Sequence, residues 1–532
     1  MARQLARLTE FGTVRKLYFI TFSFLIFLSN LGAESIFENV TKQLESNTRL
    51  YQLKNGLRLI LVQRKESPTV AIYTKFLVGS VDEIPSQSGT AHLLEHMLFK
   101  GTANVGTQDY SKEKKYQEQI EIWGSKLDQL RLEKRNLESR SLAIPSALQL
   151  QIDSLTKRLK VLQEYQNEFI IKNEDSYIYE QNGEVGFNAY TTSDVTNYQI
   201  QLPSNRLVIW AMMESDRLKN PVLREYYTER DVVIEERRMR TENSGSSLLR
   251  ERFLAVAGEA HPYRMPVIGY PSVIPFLDIA DTKKFFKDHY HPGNMVITIV
   301  GDLEFDETKQ LVQEFFENIP QGPNKPEIKP YEIQSEGEKR FTVEFPSGES
   351  MLMGWMKPTL PHVDNSAFDI LDGILGRGPS SRLYKRLVLD TNLCSAVSAS
   401  NSFPGERFTN FFLISARNNK GADLSKIEAI IWEEIEKIAQ EGVSEEEIQK
   451  VKNGNIADFF RYMDSNEAMA DTFGYYELLT GDWKTLFRVY ENMNKVGSKD
   501  LQRVARQYLK RNRVTIGTLK DSRLNTKGTN NE

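Results

Sequence analysis

A proline-rich stretch near the middle of the chain places the strongest constraint on the fold. The segment "NIPQGPNKPEIKP", residues 318–330, carries four prolines and one glycine between segments patterned as regular structure. Proline fixes φ and lacks an amide donor, so this composition continues neither a helix nor a central strand. It predicts a linker, residues 321–330, that divides the 532-residue chain into halves of comparable size.

Two short stretches indicate that the halves are related. Residues 290–302, "YHPGNMVITIVGD", and residues 508–520, "YLKRNRVTIGTLK", each place an asparagine four positions after a tyrosine and just before a β-branched run. Strand-like and helix-like patterns alternate elsewhere in the chain. We therefore predict an α+β fold of two homologous halves, residues 34–320 and 331–532, each an antiparallel-type sheet with helices on one face.

The composition excludes several classes of function. The 68 basic and 72 acidic residues give a net charge of -4, too balanced for nucleic acid or an acidic membrane surface as the main partner. The single cysteine, Cys394, excludes an internal disulfide framework and any cysteine-rich zinc module. Function must therefore be sought in a site.

Residues 1–33 have the composition of a secretory signal peptide. A basic stretch, "MARQLARLTEFGTVRK", precedes the apolar run "LYFITFSFLIFL", and small residues follow up to Ala33. We expect export to the periplasm. An uncleaved signal anchor in the inner membrane is the alternative, because Leu31 fits the outer small position of a cleavage site poorly. A mitochondrial presequence is disfavoured, since such peptides lack so clean an apolar block.

Residues 112–172 interrupt the alternation of strands and helices. Apolar side chains with heptad spacing predict two helical arms, separated at Pro145, which form an antiparallel coiled-coil hairpin with arms about 40 Å long. The heptad positions are Tyr116, Ile120, Trp123, Leu127, Leu130 and Leu137, then Leu148, Ile152, Leu155, Leu159, Leu162 and Phe169. Because the arms satisfy each other, we expect their removal to leave a folded core. A solvated spacer and a docking arm for a partner or membrane both remain open.

The stretch "AHLLEHMLFKGT", residues 91–102, contains two of the six histidines. On a helix His92, Glu95 and His96 share one face. Two imidazoles at this spacing can hold one zinc ion, and a neighbouring carboxylate can take the proton of an attacking water. The alternative is a pair of core histidines, but chance produces this pattern only about once in a hundred or more chains of this length.

This stretch resembles the inverted H-x-x-E-H motif of the pitrilysin and insulysin metallopeptidase family, which includes the mitochondrial processing peptidases. The resemblance implies one zinc ion per chain, held by His92, His96 and a glutamate on a later helix. The segment "ERDVVIEE" matches that helix, with Glu236 as the ligand and Glu229 as the supporting carboxylate. Glu235 points away from Glu236 on a helix and is expected to be solvated or paired.

Glu236 follows His96 by 140 residues, an interval longer than is usual in the family, and the predicted hairpin accounts for the excess. After the hairpin, "GEVGFNAYTTSDVTNYQIQ" resembles the family's edge strand, whose backbone pairs with an extended substrate. Asn188 and Ala189 match the substrate-binding positions of that strand.

The second half departs from the family pattern. The segment "GILGRGPSSRLYKRLVLDTNLCSAVS" resembles the glycine-containing loop and helix that face the active site. Where many single-chain members have an arginine and a tyrosine, this chain has Val388 and Ser395. The resemblance therefore implies the half-size branch, in which two chains enclose a chamber. The expected partner is a homologous chain that supplies the arginine and tyrosine, with a homodimer as the alternative.

The resulting hypothesis is a zinc metalloendopeptidase that hydrolyses peptides or unfolded polypeptides, with Glu95 as the general base. One alternative is a non-catalytic structural or partner-binding member of the family. Another is a peptidase that removes targeting sequences inside an organelle, which the N-terminal sequence disfavours.

Overall fold

The computed structural model describes residues 30–325, 328 and 336–525. The predicted leader therefore lies outside the described residues, except for residues 30–33 at the start of the first helix. The predicted linker is described only at residues 321–325 and 328, where the chain has no regular structure.

Of the described residues, those up to Arg49 form a unit of their own, and those from Leu50 onward form the second unit. Among the described residues, no helix combines the length and the apolarity needed to cross a bilayer. The strands are β1 (Thr48–Gln52), β2 (Arg58–Gln63), β3 (Thr69–Phe76), β4 (Val185–Thr191), β5 (Thr196–Pro203), β6 (Met295–Gly301), β7 (Lys339–Phe345), β8 (Ser350–Lys357), β9 (Cys394–Phe403), β10 (Asn410–Asn418) and β11 (Val514–Asp521).

Short 3₁₀ turns and two π-helical turns, Arg238–Glu242 and Lys385–Asp390, accompany the α-helices. The α-helices are α1 (Asn30–Ser46), α2 (Thr90–Leu98), α3 (Tyr110–Ser139), α4 (Ser146–Asn167), α5 (Glu174–Glu180), α6 (Leu207–Lys219), α7 (Tyr226–Arg237), α8 (Gly245–Ala257), α9 (Ile279–His289), α10 (Phe305–Phe316), α11 (Asp364–Gly376), α12 (Arg382–Tyr384), α13 (Leu424–Glu441), α14 (Glu445–Asp464), α15 (Asn466–Thr480), α16 (Thr485–Lys495), α17 (Ser498–Tyr508) and α18 (Ser522–Asn525).

The two sheets have the same topology. The first has the strand order β1-β2-β6-β3-β5-β4, and the second has the order β7-β11-β8-β10-β9. Apart from the additional strand β1, each position in one sheet has its counterpart in the other. In each sheet one pair is parallel, β2 with β6 and β7 with β11, and the pairs that follow are antiparallel. The prediction of an α+β chain with two related halves is therefore confirmed.

The tyrosine–asparagine stretches that suggested this relationship lead into β6 and β11, which are counterparts. Alternate residues of a strand point to opposite faces of its sheet. On β3, Val70, Ile72 and Phe76 join the apolar core that the first sheet forms with its own helices. The opposite face of the same strand carries Tyr73 and the fully buried Lys75.

Each sheet covers that opposite face with a helix from the other half. Helix α15 packs on β3 and β6 of the first sheet, where Lys75 Nζ lies 2.5 Å from Asp471 Oδ1. Helix α8 packs on β7, β8 and β11 of the second sheet through an apolar cluster that includes Leu249, Phe253 and Leu352. The two helices occupy equivalent positions in their halves, so the exchange is reciprocal.

Helices α3 and α4 form the predicted antiparallel hairpin, and most of the predicted heptad positions are buried between them or against the first half. The hairpin is not self-contained, because α3 also packs on α7. The expectation that a core without the hairpin still folds stays a prediction. A buried ion pair joins Arg230 to Asp128 with distances of 2.6 and 2.9 Å. Gly124 lies against the ring of Tyr227, so closely that a Cβ atom there would be 2.1 Å from the ring. Deleting residues 112–172 would remove these contacts.

We predict that Asp128→Ala destabilises the protein by about 3–5 kcal/mol, because it leaves the buried guanidinium of Arg230 without its carboxylate. The control is Lys134→Ala, since the polar contacts of Lys134 in the described structure, with Gln149 and Glu138, lie within the hairpin. Urea denaturation of the mature chain measures both. Equal unfolding midpoints for the two variants would contradict a structural role for the hairpin.

Candidate metal centre

Helix α2 carries the first three candidate residues, and its start is fixed by a carboxylate. Gly89, with φ at +98°, precedes the helix. The buried side chain of Glu83 accepts hydrogen bonds from the amides of Gly89 and Ala91, at 2.8 and 2.7 Å. A carboxylate at a helix N-terminus satisfies free N–H groups and interacts favourably with the helix dipole. These contacts hold the turn that bears His92.

Helix α7 carries the other two candidates. Glu229 and Glu236 are two turns apart and therefore share a face, as the sequence predicted. Helix α2 packs against α7, so the two sets of side chains meet. Glu235 does not join this group, and its Oε1 lies 2.5 Å from Arg238 Nη1, so it is paired as expected.

The imidazoles of His92 and His96 converge with the carboxylate of Glu236. Glu236 Oε2 lies 3.7 Å from His92 Nε2 and 3.3 Å from His96 Nε2. One ligand atom from each residue lies within 4.8 Å of the others, and within the described part of the chain no other such group of histidine, cysteine and acidic side chains occurs.

The donor set fits a zinc ion. Tetrahedral ligands about 2.0–2.2 Å from zinc are roughly 3.4 Å apart, close to the two separations from Glu236 Oε2. This oxygen is buried and accepts no hydrogen bond, although both imidazoles face it. Two imidazoles and one carboxylate are also the ligands of a known class of catalytic zinc site.

The two imidazoles differ in their protonation. Burial and the neighbouring His96 lower the pKa of His92 to about 4, so that imidazole is neutral at pH 7. Burial disfavours the charged form of His96, but Glu229 and Glu236 outweigh it and raise the pKa of His96 to about 9. The carboxylates thus favour positive charge at this point, as a cation site requires.

Glu229 lies behind His96 with respect to Glu236. Its Oε2 is 3.6 Å from His96 Nδ1, and its Oε1 is 2.6 Å from Lys100 Nζ. Since Nε2 of the same imidazole faces Glu236, Glu229 is placed to fix the orientation of the ring.

Glu95 lies on the same side of α2 as the histidines and contacts the first sheet. The hydroxyl of Thr191, at the end of β4, donates a hydrogen bond of 2.5 Å to Glu95 Oε2. Burial raises the pKa of Glu95 above its ordinary value, which improves a carboxylate as a proton acceptor near neutral pH.

Asn188 and Ala189 lie on β4, which is the edge strand of the first sheet, as predicted. They pair with Gln199 and Tyr198 of β5 on one side only. The amide of Ala189 donates to the Asn188 side chain at 2.9 Å. The other side of β4 therefore offers backbone groups to an added strand.

A cavity of about 880 Å³ joins these residues. It is bounded by α2, β4, α7 and α8, by residues 265–268, and by Phe403 and Pro404 of the second half. The volume is in the range of pockets that bury a peptide segment or a small ligand.

The structure does not bring Val388 and Ser395 to this cavity. Val388 packs against the core of the second half, and Ser395 Oγ donates to the backbone of Arg417. In the described lining, the residues that come from the second half are Phe403 and Pro404. The expectation that the glycine-containing loop and helix of the second half face the metal cluster is therefore wrong within this chain.

Three contributing residues were missed in the sequence. Thr191 contacts Glu95, and Arg240 contacts Glu236. The third residue, Glu83, contacts the start of α2. Glu83 stands shortly before the histidine motif as a helix-capping signal that could have been found. Thr191 and Arg240 carry no local signal, because their partners become neighbours only in the fold.

The family models match both halves. The model described as "Insulinase (Peptidase family M16)" matches residues 58–132, and the one described as "Peptidase M16 inactive domain" matches residues 277–455. The first match spans the histidine motif.

Two curated relatives align along most of the chain. A zinc protease, PqqE, of Helicobacter pylori is 27% identical over 93% of this chain and 97% of its own length. The beta subunit of the mitochondrial-processing peptidase of Lentinula edodes is 22% identical over 88% of this chain and 89% of its own length.

Solved structures have the same fold. A protease from Helicobacter pylori superposes with a TM-score of 0.72 and 26% identity, covering 89% of this chain and 99% of that one. The periplasmic protease PqqL from Escherichia coli superposes with a TM-score of 0.65 and 16% identity, covering 90% of this chain but 48% of that one. With the motif, the duplicated fold and these matches together, the chain belongs to the insulinase family of peptidases, family M16, in its half-size form.

Proposed function

We propose that the protein is a zinc metalloendopeptidase that acts on peptides or unfolded polypeptides. The observation that carries the proposal is the convergence of His92, His96 and Glu236 beside a buried Glu95 in a cavity bordered by a free strand edge. In this proposal the first three residues bind zinc and Glu95 is the general base.

The residues have distinct tasks in the proposed reaction. When bound, zinc supplies Lewis-acid polarisation of the scissile carbonyl and of the attacking water. Glu95 takes the proton of that water and passes it to the leaving amine. Thr191 holds Oε2 of Glu95, which fixes the carboxylate for this transfer. Glu229 orients His96, and Arg240 holds the second oxygen of Glu236 at 2.9 Å.

The edge of β4 is proposed to bind the substrate. An extended peptide that pairs with Asn188 and Ala189 gains backbone hydrogen bonds without a requirement for sequence. Such pairing needs an unfolded segment, and this suits a peptidase for peptides and unfolded chains.

We predict that Glu95→Gln retains zinc but lowers peptide turnover by at least about 100-fold, since an amide cannot accept the proton. Metal analysis and cleavage of a quenched fluorescent peptide measure the two properties separately. The matched control is Glu235→Gln, on the exposed side of α7. Near-normal hydrolysis by zinc-loaded Glu95→Gln would exclude Glu95 as the base, and inactivity of the wild-type chain with every partner would favour a non-catalytic role.

We predict that Glu236→Gln impairs zinc retention more than Glu229→Gln, because the first removes a direct ligand and the second removes support for one. Loss of a supporting group typically weakens metal affinity about 10- to 100-fold. Competition with a chelator of known affinity gives the order. Stoichiometric zinc in Glu236→Gln with none in Glu229→Gln would reverse the assignment.

We further propose that the active assembly contains two chains. The two positions at which the resemblance implies an arginine and a tyrosine hold Val388 and Ser395, and neither lies in the described lining of the cavity. A relative is named as the beta subunit of its enzyme, and a fold like that of this chain accounts for about half of PqqL. Both observations support a second, homologous chain as the source of the missing groups.

We predict that addition of this homologous chain raises peptide turnover by about 100-fold or more, the usual effect of one preorganised donor to the transition state. Affinity purification from the native host, followed by mass spectrometry, identifies the chain, and mixing purified chains measures turnover. Full activity of this chain alone, as a monomer or homodimer, would refute the two-chain proposal.

We also propose that the protein is exported to the periplasm, with residues 1–33 as the leader.

A further inference from the structure

The charged side chains around the cavity are unequally paired. With neutral imidazoles, the lining contains three basic and four acidic side chains. Lys100 is paired with Glu229, and Glu251 forms two hydrogen bonds of 2.9 and 3.0 Å with Arg237. These pairs largely neutralise their own charges.

Two other basic side chains of the lining are arginines. Arg240 contacts Glu236 Oε1 at 2.9 Å, but 74% of its side chain is exposed. Arg250 is exposed on α8, lines the cavity and has no ion-pair partner among the residues that the structure describes. A divalent cation held by Glu236 would make the charge of the whole lining positive.

The helix that carries Arg250 is held in place by its buried face. Its neighbours Leu249 and Phe253 on α8 are fully buried under the second sheet, so the helix cannot easily rotate. Arginine presents a planar set of N–H donors that matches a carboxylate, and it retains its charge at any physiological pH.

We propose that Arg240 and Arg250 form a subsite for a carboxylate of the substrate, which rests on the proposed peptidase function. The substrates are then peptides with an acidic side chain, or a free C-terminal carboxylate, near the cleaved bond. Basic segments fit this subsite poorly. Because organellar targeting peptides are arginine-rich and poor in acidic residues, the subsite also opposes that class of substrate.

The test uses quenched fluorescent peptides that differ only by Glu, Gln or Lys at single positions near the cleaved bond, each with a free or an amidated C-terminus. The zinc-loaded mature chain, with its partner where one is required, is assayed for kcat/KM. We expect Glu to exceed Lys by about 10-fold at one position or more, or the free C-terminus to exceed the amide by a similar factor. Which of the two occurs identifies the source of the carboxylate.

Charge reversal at Arg250 separates this subsite from a general effect of charge. Arg250→Glu should reverse the preference toward Lys and leave zinc content unchanged. Arg238→Glu is the control, because Arg238 is exposed nearby, pairs with Glu235 and is not part of the cavity lining. An unchanged preference in Arg250→Glu, or no dependence on peptide charge in the wild type, would overturn the proposal.

Binding keeps the test independent of turnover. Fluorescence anisotropy with zinc-loaded Glu95→Gln measures the affinity for the same peptides. If no peptide is cleaved by the wild type, the peptidase function fails, while a charge preference in binding that Arg250→Glu reverses still supports the subsite. Equal binding of the Glu and Lys peptides, together with equal binding of the free and amidated C-termini, would reject the subsite whether or not peptides are cleaved.

Discussion

The reciprocal exchange of α8 and α15 is the packing constraint on which the rest of the structure depends. It removes Lys75 from water, which costs several kcal/mol for an ammonium group unless an opposite charge compensates. Asp471 of the other half supplies that charge. The hydroxyl of Tyr190 lies 2.6 Å from both Lys75 Nζ and Asp471 Oδ1. Since Tyr190 precedes Thr191 on β4, contact between the halves also fixes the strand that holds Glu95.

Buried ion pairs also connect the hairpin to the helices that carry the candidate zinc ligands, α2 and α7. Arg224 shows this clearly: it pairs with the fully buried Glu113 of α3 and donates to the carbonyls of Lys100, Thr102 and Val105, beyond the end of α2. Helix α7, which begins just after Arg224, is held to α3 by the ion pair between Arg230 and Asp128. Helices α2 and α7 are thus fixed against the same arm, although the arm contributes no residue to the described lining of the cavity.

The features that could be predicted directly from the sequence are those that the spacing of neighbouring residues determines. The spacing of His92, Glu95 and His96 defines a helix face, and heptads define the hairpin, so both were found directly. Glu236 required the resemblance to a family, because no periodicity links residues separated by an insertion. The docking of α3 was missed because Glu113 and Asp128 look like solvated helix positions until their arginine partners are known. Thr191 was missed for the same reason.

The duplicated fold also explains why, among the described residues, the candidate metal ligands lie in the first half. Helix α11 follows β8 as α2 follows β3, but nearly all of its residues are buried. Its polar groups are used within the second half: Asp369 accepts a hydrogen bond of 2.7 Å from Asn401, and Asn365 accepts one of 2.8 Å from the buried Lys357. On α2, by contrast, Glu95 and His96 are only partly buried and reach the cavity. When the polar side chains of a helix form hydrogen bonds within its own core, they are not available to bind a cation. When they face a cavity instead, other parts of the fold must hold the helix and these side chains in place. The first half has that support in Glu83, Thr191 and the hairpin.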